Sequence, residues 1–316
     1  MPEDERAPTV GVVTVTYNSA SVLDDFLDSL AAQRGVEVRL YVVDNASGDG
    51  SVERVRSEKR LQHIQVIAND ANLGVAVGNN QGITAALADG CDWVLLLNND
   101  TMFDRDMLRT LAGHADEHAL DIVSPVIEAT DPPGTVWFDD GRIRGVSMVT
   151  RHLGVGRPMA DVRPGLREIG YASTCCLLVR PSVFGEVGLM DPAYFVYFDD
   201  VDFAVRALRA GFRYWLDPAA RLVHKASSLT GGKSSAFTVS WTARNWPLLV
   251  RIHRRGPARL LGLAYIQVWL TGRFVLGRDR FGDFALRQKR FRDALRVPIS
   301  PPPRVPSAAA LRATPR

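Results

Sequence analysis

Cysteine is scarce in this chain: three residues in 316, Cys91, Cys175 and Cys176, two of them adjacent. Three cannot make a disulfide framework, and all lie in apolar runs, so buried thiols in a reducing compartment are expected. Long apolar runs are missing as well. The nearest, LLGLAYIQVWL from Leu260 to Leu270, is too short to span a bilayer. The opening MPEDERAPT is acidic and has no apolar stretch of the kind a secretory signal needs. The glycine stretch 74–82 is not GxGxxG and contains no GKS/T, so neither the dinucleotide fingerprint nor the P-loop fits it. A cytoplasmic protein is the expectation.

Excess charge also looks absent, at a formal +3. That total hides an asymmetry. Residues 244–296 carry 13 Lys and Arg against three acids, and residues 297–316 add three arginines and no acid. Residues 1–243 hold 22 bases against 32 acids. An acidic body of 1–243 is therefore followed by a basic amphipathic helical region, 244–296. A Pro-rich tail, 297–316, is expected to be disordered. The basic region interleaves arginines with Trp246, Leu260, Leu261, Tyr265, Trp269 and Phe274. Peripheral contact with an anionic membrane surface fits that pattern, and so does an oligomer interface or a helical cover for the sheet edge.

Within the body, short β-branched runs alternate with helical periodicity. TVGVVTVTY (9–17), VEVRLYVVD (36–44), HIQVIA (63–68), DWVLLLN (92–98), LDIVSP (120–125) and STCCLLV (173–179) read as strands. Helices are predicted near 22–30 (capped by Ser19 or Ser21), from Ser51 toward Ser57, over 75–88, 105–118 and 201–211. This order predicts an α/β fold with a mainly parallel, doubly wound sheet. Regularity fails over 127–170, where a hairpin-like IRGVSMVTRH (143–152) intervenes. Such a segment is usually a functional insertion or lid.

Ligands of open parallel sheets collect at the C-terminal strand ends. Four consecutive ends here carry amides, carboxylates or glycines: Thr16-Tyr17-Asn18, Asp44 to Gly50, Asn72 to Gly82, and Asn98-Asn99-Asp100. Each alone is ordinary turn chemistry; the set points to a site. Gly74 and Gly78 would permit close approach of a nucleotide to a helix N-terminus. Asp100 suits a hard divalent cation bridging to diphosphate oxygens. The densest constellation is Phe195-Val196-Tyr197-Phe198-Asp199-Asp200-Val201-Asp202. Carboxylates beside four large apolar residues suit a general base of raised pKa, and equally an acidic helix start.

Taken together these motifs resemble an inverting GT-A glycosyltransferase of family 2, in the branch of rhamnosyl- and galactofuranosyltransferases. The resemblance covers about 10–250 and implies a GT-A, Rossmann-like sheet flanked by helices. VTVTYNS and VVDNASGDGS are similar to the family's nucleotide-binding strands, with Asp44 accepting the imide N–H of uracil or thymine and Thr16 and Tyr17 lining the base. NLGVAVGNNQG would set Asn72, Gly74, Gly78 and Asn79 along the ribose-diphosphate, with Asn99 also at the donor. LLLNND resembles the family's metal motif, with Asn98 where its first Asp would stand, leaving Asp100 to carry Mg²⁺ or Mn²⁺ nearly alone. YFDDVDFAVRALRAGFR makes Asp200 the implied catalytic base, with Asp199 and Asp202 as acceptor or support residues. VHKASS makes His224 a second metal or diphosphate ligand. Arg244-Asn245 matches a pair common in the rhamnosyltransferase-like branch, with no role evident from sequence.

The implied activity is transfer of a sugar, rhamnose from dTDP-rhamnose foremost, to a hydroxyl of a glycan or polyprenyl-diphosphate-linked acceptor in cell-surface polysaccharide synthesis. A galactofuranosyl or other UDP-sugar transferase is the alternative within the family. In another class stands a nucleotide-binding module without catalysis, which would have no use for Asp200 beside Asp199 and Asp202. A nucleotidyltransferase would need a glycine-rich, basic loop that 14–21 lacks. Nucleic-acid binding would explain the arginines but not the acidic body.

Overall fold

The computed structural model describes residues 6–225 and 235–306. Strands β1 (Thr9–Thr16), β2 (Glu37–Asp44), β3 (His63–Ala68) and β4 (Trp93–Leu97) alternate with helices α1 (Leu23–Ala31), α2 (Ser51–Ser57) and α3 (Val75–Ala88). Then come β5 (Thr101–Phe103), α4 (Met107–Glu117), β6 (Ile122–Ala129), β7 (Thr135–Phe138), β8 (Gly141–Arg144), β9 (Val149–His152) and β10 (Arg167–Ile169). The chain continues through β11 (Cys176–Val179), α5 (Pro181–Val187), α6 (Asp199–Arg209) and β12 (Tyr214–His224) to α7 (Ala236–His253), α8 (Gly256–Val275) and α9 (Phe281–Arg296).

The main sheet runs β10-β12-β6-β11-β4-β1-β2-β3. β1 pairs in parallel with β2 and β4, β2 with β3, and β6 with β12, while β11 lies antiparallel between β4 and β6. β-Branched and aliphatic runs such as Val10 to Val13 and Val94 to Leu97 are buried on both faces, as helix-covered parallel strands require. Register aligns the ends: Thr16 pairs with Asp44, Asp44 with Ala68, and His224 with Ala129 and Thr101. Because β11 runs against its neighbours, its start at Cys176 sits beside the end of β4 at Leu97. Every strand end that carries chemistry thus opens on one edge.

The predicted strands and the long helices appear within a few residues of their expected limits. β5, β7 and β10 were not foreseen; at three or four residues they are too short to show a period. No side chain caps α1: the Ser19 hydroxyl instead accepts from the Tyr17 N–H at 3.2 Å and the Asn99 amide at 3.3 Å. The 127–170 insertion does contain a hairpin, β8–β9. Buried Asp139 secures it by pairing with Arg157 and Arg167. All three cysteines are buried and free.

Two expectations about chain organisation need correction. The boundary drawn at 243 falls inside α7, one continuous helix whose Arg244 and Asn245 bond to carbonyls of 193–197. The Pro-rich segment is not detached over 297–306: the Leu189 N–H donates to the Pro303 carbonyl at 2.9 Å and Arg304 bonds to Glu186. Residues 307–316 lie outside the described part. Among the described residues no helix is long and apolar enough to cross a membrane.

α3 lies close on β1 because Gly78 and Gly82 lack side chains. A Cβ at Gly82 would meet Val13 Cγ1 at 2.3 Å, in the sheet, where backbone holds the neighbour. Gly82→Ala is expected to destabilise by about 1–3 kcal/mol through overpacking, read as a lower urea midpoint at unchanged m-value.

Candidate active site

The nucleotide side of the edge is built from the ends of β1 and β2. Asp44 is buried, accepting from the Thr16 hydroxyl at 2.7 Å and from the Ser47 N–H and hydroxyl at 2.9 and 2.6 Å. Thr16 therefore orients Asp44, while Tyr17, 49% exposed, stands free at the rim. The Asn18 N–H donates to Ser47 and the Gly48 N–H to Asn18, so the two strand-end loops form one unit. Asp49 completes it by accepting from the Ala20 N–H and from Ser51. The sequence places Asn18, Ser47 and Asp49 at these strand ends but gives a role to Asp44 alone, because loop-to-loop bonds leave no periodic trace.

Next along the edge, Asn72 accepts from the Gly74 N–H at 3.0 Å and folds the turn into α3. Gly74 has φ +85, and a Cβ there would lie 2.4 Å from the Phe195 carbonyl oxygen. That same carbonyl accepts from the Val75 N–H at 2.6 Å. Gly74 thus admits the 193–198 segment to the donor loop. Gly78 faces inward, where a Cβ would meet Val15 at 2.8 Å. Its reason for being glycine is helix-on-sheet packing, not the nucleotide approach expected. Asn79 is buried in α3, and Asn99 turns its amide onto the Val15 carbonyl at 2.8 Å. Asn80, unremarked in the sequence, exchanges two 2.8 Å bonds with the Met190 backbone.

Asp100 and His224 meet, with Nε2 3.0 Å from Oδ1 and both side chains at most one-tenth exposed. Burial opposes charge on the ring; the adjacent Cys175 sulfur and the Asp100 carboxylate outweigh it and lift His224 to about 10. Asn98 is exposed and makes no third ligand of carboxylate type. Among the described residues no three His, Cys, Asp or Glu side chains cluster as a ready cation cage. One carboxylate with one imidazole still fits Mg²⁺ or Mn²⁺, which take their remaining oxygens from water and substrate phosphates. Ser228, the serine of the VHKASS motif, lies outside the described residues. Trp137 of the insertion packs edge-on against His224, ring centroids 4.5 Å apart, and His152 lies 5.5 Å beyond it.

The acidic cluster occupies the first turn of α6, two residues ahead of the predicted start. Its three carboxylates have separate fates. Asp202 is buried and paired twice, with Arg206 at 2.8 Å and His253 at 2.7 Å, which makes it a support residue. Asp199 is buried, and its Oδ2 has no hydrogen-bond partner among the described residues. Asp200 is partly exposed, accepts from the Val201 N–H at 2.8 Å and bonds to the Ser173 hydroxyl. Burial raises both Asp199 and Asp200 above the usual carboxylate range. The Asp200 charge lifts Asp199 further, whereas Val201 and Ser173 restrain Asp200. Adjacent carboxyls this buried do not both ionise, so Asp199 holds the proton and Asp200 the charge. Buried Tyr171, whose hydroxyl bonds to Thr150 of the insertion, feels the Asp200 charge and is pushed up. The sequence gives no role to Trp137, within the irregular 127–170, or to Tyr171 and Ser173 at the start of the next predicted strand.

Residues 11–188 match the family described as Glycosyl transferase family 2. The chain is 29% identical over 295 residues to the N-acetylglucosaminyl-diphospho-decaprenol L-rhamnosyltransferase of Mycobacterium tuberculosis, covering 85% of this chain and 94% of the relative. It is 29% identical over 224 residues to the galactofuranosyltransferase GlfT1 of the same species, covering 70% and 71%. A mannosyltransferase from Pyrobaculum calidifontis, solved with GDP-Man and Mn²⁺, has a TM-score of 0.56 at 17% identity, covering 99% of this chain and 81% of that one. GalNAc-T7, solved with UDP, GalNAc and Mn²⁺, reaches a TM-score of 0.61 at 17% identity over 79% and 48%. The structural likenesses establish a GT-A fold, and with more than half of its length matching the family, this chain belongs to glycosyl transferase family 2 and is a glycosyltransferase.

Proposed function

We propose that the protein transfers rhamnose, with inversion, from dTDP-rhamnose to a hydroxyl of a polyprenyl-diphosphate-linked glycan. The observation that carries the chemistry is Asp200, a charged, partly accessible carboxylate beside neutral Asp199, on the edge shared with Asp44 and Asp100. Similarity to the decaprenol-linked rhamnosyltransferase supports the sugar and the acceptor class.

In this reading Asp44 receives the imide N–H of the base, on the shelf that Thr16 and Ser47 hold. Asn72 and Gly74 shape the loop over the ribose-diphosphate. Asp200 takes the proton of the acceptor hydroxyl as its oxygen bonds to the anomeric carbon and the bond to the diphosphate breaks. A divalent cation held by Asp100 and His224 would supply Lewis-acid neutralisation of the leaving diphosphate. Trp137 and Ser173 keep His224 and Asp200 in place.

Nucleoside-diphosphate release across dTDP- and UDP-sugars, with Mg²⁺ or Mn²⁺, tests the donor. Turnover highest with dTDP-rhamnose is expected, and a UDP-galactofuranose preference would reassign the sugar. Asp200→Asn is expected to lower kcat by roughly 10³-fold with donor KM little changed. In the wild type, kcat should fall as pH drops through the raised Asp200 pKa, since the base acts only when deprotonated. A variant within about tenfold of wild type removes Asp200 from this role. EDTA should abolish release, with Mg²⁺ or Mn²⁺ restoring it, whereas Asp100→Ala should be weak and unresponsive to metal. Full wild-type activity in EDTA counts against the cation.

The C-terminal helices suit an acceptor carried on a membrane at the cytoplasmic face. α8 exposes Leu261, Tyr265, Val268 and Val275, and Arg255 and Arg278 are exposed at its two ends without ion pairs among the described residues. The single buried acid between α8 and α9, Asp279, is already taken by Arg273 and Arg287. An apolar stripe with surplus cations is complementary to anionic lipid. Co-sedimentation with phosphatidylglycerol-containing vesicles, but not with neutral ones, is expected, and Val268→Asp should weaken it. Binding to neither vesicle type would make the stripe a subunit interface.

A further inference from the structure

The segment that delivers Asp200 is held in an unfavourable backbone conformation. Tyr197 and Phe198 have φ of +64 and +69, consecutive left-handed positions occupied by bulky aromatic residues. Such residues rarely adopt this conformation, and it persists only where surrounding contacts over-determine it. Nothing in 193–198 itself supplies those contacts. They come from α7, some forty residues later in the chain.

Asn245 is fully buried, and its amide nitrogen donates to the carbonyls of Val196 at 2.8 Å and Tyr197 at 2.9 Å. An amide NH₂ has two hydrogens, and both are used on consecutive peptides turned to one side. Its oxygen accepts from Arg244 at 2.6 Å, and the same guanidinium nitrogen reaches the Ala193 carbonyl at 2.7 Å. One turn earlier, Trp241 stacks on Phe195 with centroids 4.7 Å apart and planes 15° apart. At the start of α7, Thr238 bonds to the Tyr197 hydroxyl at 3.1 Å. α7 therefore grips the segment at Ala193, Phe195, Val196 and Tyr197, immediately before α6 begins.

We propose that Asn245, supported by Arg244, is the positioning residue of the transfer reaction: it locks the left-handed pair and so fixes where α6 presents Asp200 to the acceptor hydroxyl. This rests on Asp200 being the base. Phe195 keeps its own hold on the donor loop through the Val75 N–H, and on α7 through the Trp241 ring. Loss of the Asn245 bonds should therefore move the base and spare the nucleotide.

The test compares kcat and donor KM for Asn245→Ala, Asn245→Asp and Tyr197→Phe, using whichever dTDP- or UDP-sugar the wild type turns over fastest. Thermal unfolding and Asp200→Asn are run alongside. Asn245→Asp keeps the shape and the contact with Arg244 but has no N–H to donate. Both Asn245 variants should lose about 100-fold in kcat, as expected for a reacting group displaced by about an ångström. Donor KM should stay within about threefold. Tyr197→Phe, which leaves the core intact, should lose less, about fivefold, and again in kcat alone; it decides the matter if the Asn245 variants do not fold. Near-wild-type kcat in the folded Asn245 variants, or a loss appearing equally in donor KM, overturns the proposal while Asp200→Asn stays inactive. Activity surviving in Asp200→Asn is a different failure, that of the base assignment itself.

Discussion

One absent side chain joins the two halves of this protein. At Gly74 the left-handed turn into α3 leaves room for the Phe195 carbonyl, which the Val75 N–H then captures at 2.6 Å. The loop belonging to the parallel half is thereby in contact with the segment that ends in the acidic turn of α6. Any Cβ at position 74 would have to displace backbone, which cannot yield as a flexible side chain can. The loop before α3 and the segment leading to Asp200 are thus held together by a peptide-to-peptide contact.

Three aspartates in one turn show how environment divides one residue type among different tasks. Asp202 is fully enclosed, and Arg206 and His253 meet it. Asp199 is equally enclosed without a cation and is therefore neutral. Asp200, nearest to solvent and touched by Ser173, carries the remaining charge. Only the last combines ionisation with access. The buried Asp100–His224 pair repeats the first arrangement at the other end of the edge.

Much of this was legible in the sequence for physical reasons. Strands buried on both faces write continuous β-branched runs, and helices lying on them write a 3.6-residue stripe, so β1 to β4, α3 and α4 could be located. Asp44, Asp100, Asp200 and His224 stood out because polar residues at strand and helix ends follow apolar runs. What stayed hidden depends on contacts between distant segments. Gly78 reads like a ligand glycine until Val15 is seen beneath it. Asn245 lies in the middle of a helix, where its bonds to Val196 and Tyr197 have no local signature. Trp137 sits in a stretch without period, and Ser173 opens a predicted strand whose partners, and so its place beside Asp200, appear only once the sheet exists.

The direction of β11 has a consequence for how such an enzyme can change. β6 ends at Ala129 on the open edge, and β11 begins at Cys176 on that same edge, beside Leu97. The intervening chain adds β7 beside β6 and β10 beside β12 at the margins of the sheet, and between them carries the separate β8–β9 hairpin. That hairpin, a two-stranded sheet of its own, can grow, shrink or be exchanged without shifting the register of a core strand. The edge that carries Asp44, Asp100 and Asp200 can thus keep its geometry while that hairpin is exchanged.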